Sequence, residues 1–124
     1  MAEGLSVREF WERVRGAGHR GLLLSWFNDD ELCSAVAADL TEETLCAEDF
    51  TDNWLHTAFG RNPAPSWKDF MELLEDRCIP RTRAGLREYL EALGLDAYDP
   101  LQIIRKTGGR MAEDHQWIRI EEEL

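Results

Sequence analysis

The sequence has few of the residues that build metal sites and disulfide scaffolds. Its three cysteines, an odd number, lie far apart and form no C-x-x-C pair. This pattern is typical of reduced thiols inside cells and not of a secreted, disulfide-stabilised domain. The three histidines are scattered, without the paired spacing of zinc ligands. The sequence therefore predicts neither a metal site nor any other cofactor. The residues concerned are Cys33, Cys46, Cys78, His19, His56 and His115.

Long apolar runs are also missing. No stretch approaches the ~20 apolar residues that a membrane-spanning helix needs. The first ten residues, MAEGLSVREF, lack the basic and apolar regions of a signal peptide. We therefore expect a soluble, cytoplasmic protein that does not bind a membrane.

Signatures of catalysis are weak. There is no G-x-S-x-G motif. Cys78 is followed closely by Arg81 and preceded by Arg77, and flanking positive charge lowers thiol pKa values. A cysteine at a helix end before Ile-Pro is nevertheless more typical of a core residue. The segment Lys106–Arg110 resembles a phosphate-binding loop, but Lys106 ends a predicted helix, whereas a Walker motif leads into one. The sequence predicts no enzyme.

Capping motifs predict four to five helices. Ser6 and Glu9 form a capping box, and Ser66 precedes a second helix. Asp99, followed by proline at the first helical position, begins another. Thr41 and Thr82 are the caps predicted for the remaining two helices.

Three apolar segments, each short and bounded by turn residues, predict strands. Residues 22–27 and 32–36 are expected to form a hairpin, and residues 116–120 a last strand with the acidic tail 121–123 beyond it. Because an isolated hairpin is only marginally stable, we expect the last strand to join it. The prediction is one small α+β domain over residues 1–124, with about three antiparallel strands and the helices covering one face of the sheet.

Charge is distributed unevenly along the chain. The net charge of -11 argues against direct nucleic-acid binding, because affinity for phosphates comes from Lys and Arg. Seven of the 14 Lys and Arg residues nevertheless lie between Arg77 and Arg110, which we call the basic segment. They form either surface ion pairs or a recognition face for carboxylates and phosphates, and the sequence leaves both open. These residues are Arg77, Arg81, Arg83, Arg87, Arg105, Lys106 and Arg110.

A second candidate surface is acidic. Its carboxylates occur in predicted turns and first helical turns, where they are usually solvated caps. Together they could instead imitate the phosphates of a nucleic acid and occupy the groove of an enzyme that binds one. The protein would then be an inhibitor of the anti-CRISPR or anti-restriction type. The residues of this acidic cluster are Asp29, Asp30, Glu31, Glu42 and Glu43.

Three segments of the C-terminal half form a specific pattern: EDRCIPRTR at 75–83, YDP at 98–100 and KTGGRMAED at 106–114. In this pattern the chain resembles a group of small proteins from anaerobic gut bacteria that are often found near mobile elements. No activity is established for that group. The resemblance therefore implies a bacterial cytoplasmic setting and assigns no catalytic residue.

The sequence favours a non-enzymatic bacterial interaction or regulatory domain that binds another protein through the basic segment, with tryptophan side chains adding contact area. The partner could be a nucleic-acid-processing enzyme. Two alternatives stay open at this point. One is the acidic inhibitor of a nucleic-acid enzyme, and the other is a small nucleotide- or phosphate-binding protein centred on Lys106–Arg110.

Overall fold

In the described part of the chain, four strands and four helices make up the fold. The computed structural model describes residues 6–124; residues 1–5, part of the stretch predicted to lack a signal peptide, lie outside the described range. The described part contains no helix that is both long and apolar enough to cross a bilayer. In chain order the elements are α1 (Val7–Gly16), β1 (Gly21–Asn28), β2 (Glu31–Asp39), β3 (Thr44–Asp49), a 3₁₀ turn (Trp54–His56), α2 (Trp67–Asp76), α3 (Leu86–Ala92), α4 (Pro100–Thr107) and β4 (Gln116–Glu123).

The strands form one antiparallel sheet in the order β3-β2-β1-β4. The predicted α+β class, the hairpin and the pairing of the last strand with it are confirmed. The predicted number of strands was one too low, because β3 forms where a helix was expected after Thr41. The Asp39 carboxylate accepts hydrogen bonds from the N–H groups of Thr41 and Glu42, both at 2.9 Å. Glu43 then adopts a φ of 57°, and the chain turns back to pair with β2.

Helices cover both faces of the sheet, so the prediction that they cover one face was wrong. Side chains of a strand alternate between the two faces. Leu22 and Leu24 of β1 pack in a large core with residues of α2, α3 and α4. Leu23, from the same strand, packs with α1 residues such as Trp11 and Val14. A strand buried on both faces is apolar along its whole length, as the run of leucines in β1 is.

The helix caps follow the sequence at three of the predicted sites. Ser6 and Ser66 each form a complete capping box, and Asp99 caps α4 with proline following it. Thr82 does not cap α3, which begins instead after Gly85 with a φ of 77°. The preceding residues are used in a turn, in which the Arg83 N–H donates to the Pro80 carbonyl at 3.1 Å.

The acidic residues at the C-terminus belong to β4 and are not a separate tail. Glu121 accepts a hydrogen bond from the Ser25 hydroxyl at 2.6 Å. Glu122 accepts one from the Trp11 indole N–H at 3.0 Å and pairs with Arg15. These contacts fasten β1 and α1 to the last strand. Glu123 pairs with Arg105 of α4. This pair joins the last strand to the helices on the other face of the sheet from α1.

Candidate partner-binding surface

Arg77, the first residue of the basic segment, lies inside the protein. Its side chain is 8% exposed, and its guanidinium donates to both oxygens of Asp114, at 2.8 and 2.9 Å. It also donates to the carbonyls of Gly109 and Gln116, each at 2.9 Å. Because these bonds occupy the buried guanidinium, Arg77 does not contribute to a recognition face. Its assignment to that face is corrected.

Three further residues of the basic segment form ion pairs at the surface. Arg81 pairs with Glu75 at 3.3 Å, and Arg87 pairs with Glu91 at 3.7 Å one turn along α3. Arg105 pairs with Glu123 of β4. Exposed pairs of this kind contribute little to stability. For these three residues the structure matches the interpretation as surface ion pairs.

Arg83 and Arg110 are brought together although they are distant in sequence. Both line a cavity of about 370 Å³ between the end of α2, α3 and the segment that follows α4. The Arg83 guanidinium lies 5.8 Å from the centre of the Tyr89 ring. Within residues 6–124 neither arginine has a carboxylate partner, and the same holds for Lys106 on α4. These are the positive charges of the basic segment that remain available.

A stacked aromatic pair lies next to Arg110. The rings of Phe27 on β1 and Trp117 on β4 are 4.4 Å apart and inclined by 12°. Arg110 lies over the Trp117 ring at 4.5 Å, and Arg119 lies over the Phe27 ring at 4.9 Å. The Trp117 indole N–H donates to the Asp29 carbonyl at 2.8 Å, which fixes its orientation. Each ring therefore carries one guanidinium in a defined arrangement.

Two exposed apolar side chains extend this surface across the sheet. Leu32 is the register partner of Phe27 and is 40% exposed. Phe50, directly after β3, is 51% exposed and lines a groove of about 420 Å³ beside α1. Helix α1 packs over β1 and β2 but leaves this end of the sheet open. We call the set the arginine–aromatic surface: Leu32, Phe50, Arg110, Trp117 and Arg119, with Phe27, which is 8% exposed, supporting Trp117 from beneath.

Sequence reasoning found only Arg110 of this set. The alternating pattern in residues 116–120 indicated that Trp117 and Arg119 share one face of a strand. It did not show that this face meets Phe27, because the cross-strand register joins residues about 90 positions apart. Phe50 lay in a region for which no strand was predicted.

The predicted acidic cluster is divided between two places. Asp29 and Asp30 form the turn from β1 to β2, whereas Glu42 and Glu43 lie in the turn from β2 to β3. These turns are at opposite ends of β2, whose nine residues span roughly 30 Å. The hairpin topology makes this separation unavoidable, and the five carboxylates do not form one surface. Asp29 is moreover paired with His115 at 3.1 Å.

Cys78 and Thr107, from two segments considered for their chemistry in the sequence, make hydrogen bonds within the fold. Cys78 is buried, and its thiol donates to the Leu74 carbonyl at 3.2 Å. Burial raises the pKa of Cys78 to about 11, so the reactive thiolate is scarce near neutral pH. The Thr107 hydroxyl donates to the Ile103 carbonyl at the end of α4, as expected for a helix terminus and not for a phosphate loop. In the described part of the chain, no group of three His, Cys, Asp or Glu side chains could hold a metal ion.

Comparison of the chain with protein-family models, with curated proteins and with solved structures gave no match. The chemistry of the arginine–aromatic surface is therefore the basis for assigning a function.

Proposed function

We propose that the chain is a non-enzymatic interaction domain that binds another protein through the arginine–aromatic surface. The observation that carries this proposal is the stacked pair of Phe27 and Trp117 with a guanidinium over each ring. The bacterial cytoplasm, the setting that the sequence resemblance implies, is the proposed location.

The composition of this surface suits a protein partner. Tryptophan and arginine are the residues most enriched among those that dominate binding energy at protein interfaces. Stacking and the indole hydrogen bond to Asp29 hold Trp117 in place before any partner arrives. A side chain that is already ordered loses less entropy on binding. Leu32 and Phe50 supply exposed apolar area beside it, and such patches typically mark interaction sites.

The charge of the surface defines the partner further. Arg110 has no carboxylate partner within residues 6–124, whereas Arg119 is paired with Glu121 at 2.7 Å. Arg110 is therefore the guanidinium free to form a bidentate bond with a carboxylate of the partner. The partner is a protein that presents an acidic side chain next to an apolar one. Because the chain as a whole carries a charge of -11, it repels a partner that is acidic over its whole surface. The charge complementarity is therefore confined to Arg110 and one acidic side chain of the partner.

Affinity capture from cells that naturally express the chain tests this proposal. Wild type, Arg110→Glu and Trp117→Ala are immobilised and compared with Arg87→Glu, which makes the same charge change on α3 outside the surface. We expect a partner that wild type and Arg87→Glu retain and that the two surface variants lose.

The captured protein is then purified and titrated against each variant. Truncation of a dominant interface residue typically weakens binding about tenfold or more. We expect a loss of that size for Trp117→Ala and Arg110→Glu, and an affinity for Arg87→Glu that equals that of wild type. Equal binding by all four proteins would show that this surface is not the interface.

A further inference from the structure

The cavity lined by Arg83 and Arg110 shares Arg110 with the arginine–aromatic surface, but its other lining residues lie outside that surface. It lies between the end of α2, α3, α4 and the segment that follows α4, and its volume is about 370 Å³. Sites for small molecules typically occupy about 300–1,000 Å³. Its lining includes Arg83, Tyr89, Thr107, Arg110, Met111 and Glu113.

Two guanidinium groups on this cavity have no carboxylate partner among the described residues, although the chain has 25 acidic residues. Arg77, Arg81 and Arg87 are each paired with an acid. Within residues 6–124, Arg83 and Arg110 are not, and Glu113 is the acidic residue of the cavity lining. Unpaired arginines that share one cavity provide a concentrated positive charge for an anion.

The floor of the cavity is held rigid. Arg77 lines it, but Asp114 compensates the charge of that guanidinium. The Arg77 bond to the Gly109 carbonyl fixes the segment that carries Arg110. Gly108 and Gly109, with φ values of 71° and 65°, make the turn that places this segment against α2. A site held in this way needs little ordering when a ligand binds.

We propose that this cavity binds a small phosphate monoester, a function beyond the protein-binding surface. A phosphate monoester carries a charge of about -1.5 to -2 at neutral pH, which matches two guanidinium groups better than a single carboxylate does. Its three terminal oxygens can accept from Arg83, from Arg110 and from the Tyr89 hydroxyl, which has no hydrogen-bond partner in the described part of the chain. Apolar side chains on the same cavity, such as Ile79 and Met111, contact the body of the ligand.

Nuclear magnetic resonance of the arginine side chains tests this proposal on the purified full chain. The Nε–H signals are followed during titration with phenyl phosphate, inorganic phosphate and benzoate at constant ionic strength. We expect saturable shifts of the Arg83 and Arg110 signals with phenyl phosphate and weaker binding of inorganic phosphate, which lacks the apolar body. The Arg87 signal, outside the cavity, should not move. The proposal would be overturned if benzoate bound as tightly as phenyl phosphate. It would also be overturned if neither phosphate caused a saturable shift of the Arg83 and Arg110 signals.

Variants give a second test with effects of opposite sign. Arg83→Gln and Arg110→Gln should each weaken phenyl phosphate binding about tenfold, since each removes a charged hydrogen-bond donor. Glu113→Gln should tighten it about threefold, because it removes a carboxylate that repels the ligand. Arg87→Gln should have no effect. If Glu113→Gln binds no more tightly than wild type, the phosphate does not lie in this cavity.

The two proposals fail separately. The phosphate titration contains no protein partner, and Leu32→Ala, which changes neither the cavity lining nor the ring under Arg110, should weaken the protein interface and leave phosphate binding unchanged.

Discussion

Arg77 and Asp114 form a bidentate ion pair, with nitrogen–oxygen distances of 2.8 and 2.9 Å, that joins the end of α2 to the segment before β4. The same guanidinium also binds the carbonyls of Gly109 and Gln116. One side chain therefore holds together α2, the turn after α4 and the first residue of β4. It also positions Arg110, which follows that turn and lies between the cavity that Arg83 lines and the stacked rings.

Replacing Arg77 should destabilise the protein strongly. Arg77→Leu leaves two carbonyls without their donor and Asp114 without its counter-charge. Breaking a buried pair costs about 3–5 kcal/mol, but Asp114 is 37% exposed and regains part of its hydration, so we expect a loss of about 2–4 kcal/mol. Urea unfolding of the wild type and of Arg77→Leu measures this loss of stability. Arg87→Leu, at an exposed ion pair, should cost less than about 0.5 kcal/mol. Equal losses for the two variants would contradict the structural role of Arg77.

The same ion pair should make stability depend on pH. The hydrogen bonds from Arg77 lower the pKa of Asp114 below its usual value, although partial burial opposes them. The unfolded chain therefore binds a proton at Asp114 more readily than the folded chain does. This contribution to stability is fully present above the unfolded pKa of about 4 and is lost as the pH falls through the folded pKa.

Urea unfolding between pH 6 and pH 2 measures that dependence. The free energy of unfolding should fall as the pH is lowered, and Asp114→Asn should remove the part of this fall that Asp114 causes. The free energies of unfolding of the variant and the wild type should therefore converge at low pH. Asp96→Asn, on the loop before α4, serves as the control and should keep the decline of the wild type. Parallel curves for wild type and Asp114→Asn would show that the pair does not contribute in this way.

Cys78 should be unreactive in the folded protein. Burial raises its pKa to about 11, so about one thiol in a thousand is ionised at pH 8. With the buried sulfur also out of reach, alkylation by iodoacetamide should require unfolding. Mass spectrometry of the native protein should find Cys78 unmodified after Cys46, which is half-buried on β3, has reacted. Alkylation of both at the same rate would show that Cys78 is accessible in the folded protein.

Apart from the pairing of the last strand with the hairpin, the parts of the fold that the sequence predicted correctly depend on neighbouring residues. Ser6 with Glu9 and Ser66 with Asp69 form capping boxes because the bonded groups are three positions apart. The hairpin of β1 and β2 needs only a two-residue turn. Such features are visible in a short window of sequence, and they were predicted correctly.

The parts that were missed depend on distant residues. β3 looked like the start of a helix because its identity as a strand comes from pairing with β2 and not from its own composition. Arg77 looked like a surface charge because its partner Asp114 is 37 positions away. The stack of Phe27 on Trp117 likewise requires the register between β1 and β4. The composition of a segment shows which charges it has, but burial and pairing in the fold decide which of them are available for binding.

The close packing of α1 on β1 depends on Gly21. A Cβ atom at this position would lie 2.8 Å from Val14 Cγ1 and 2.9 Å from Trp11 Cζ3, distances that real contacts do not reach. Both side chains are buried, so they cannot move aside without disturbing the smaller core. Gly21→Ala should therefore reduce the free energy of unfolding by about 1–3 kcal/mol, the usual cost of overpacking.

Gly16, the last residue of α1, serves as the control, because a Cβ atom added there would have no other atom within 4 Å. Gly16→Ala should leave stability unchanged or raise it by up to about 1 kcal/mol, because alanine favours the helix. Thermal unfolding of the two variants makes the comparison. Since both add one methyl group, a lower stability for Gly21→Ala alone reports the contact between α1 and β1, and equal stabilities would mean that α1 does not pack against the sheet in this way.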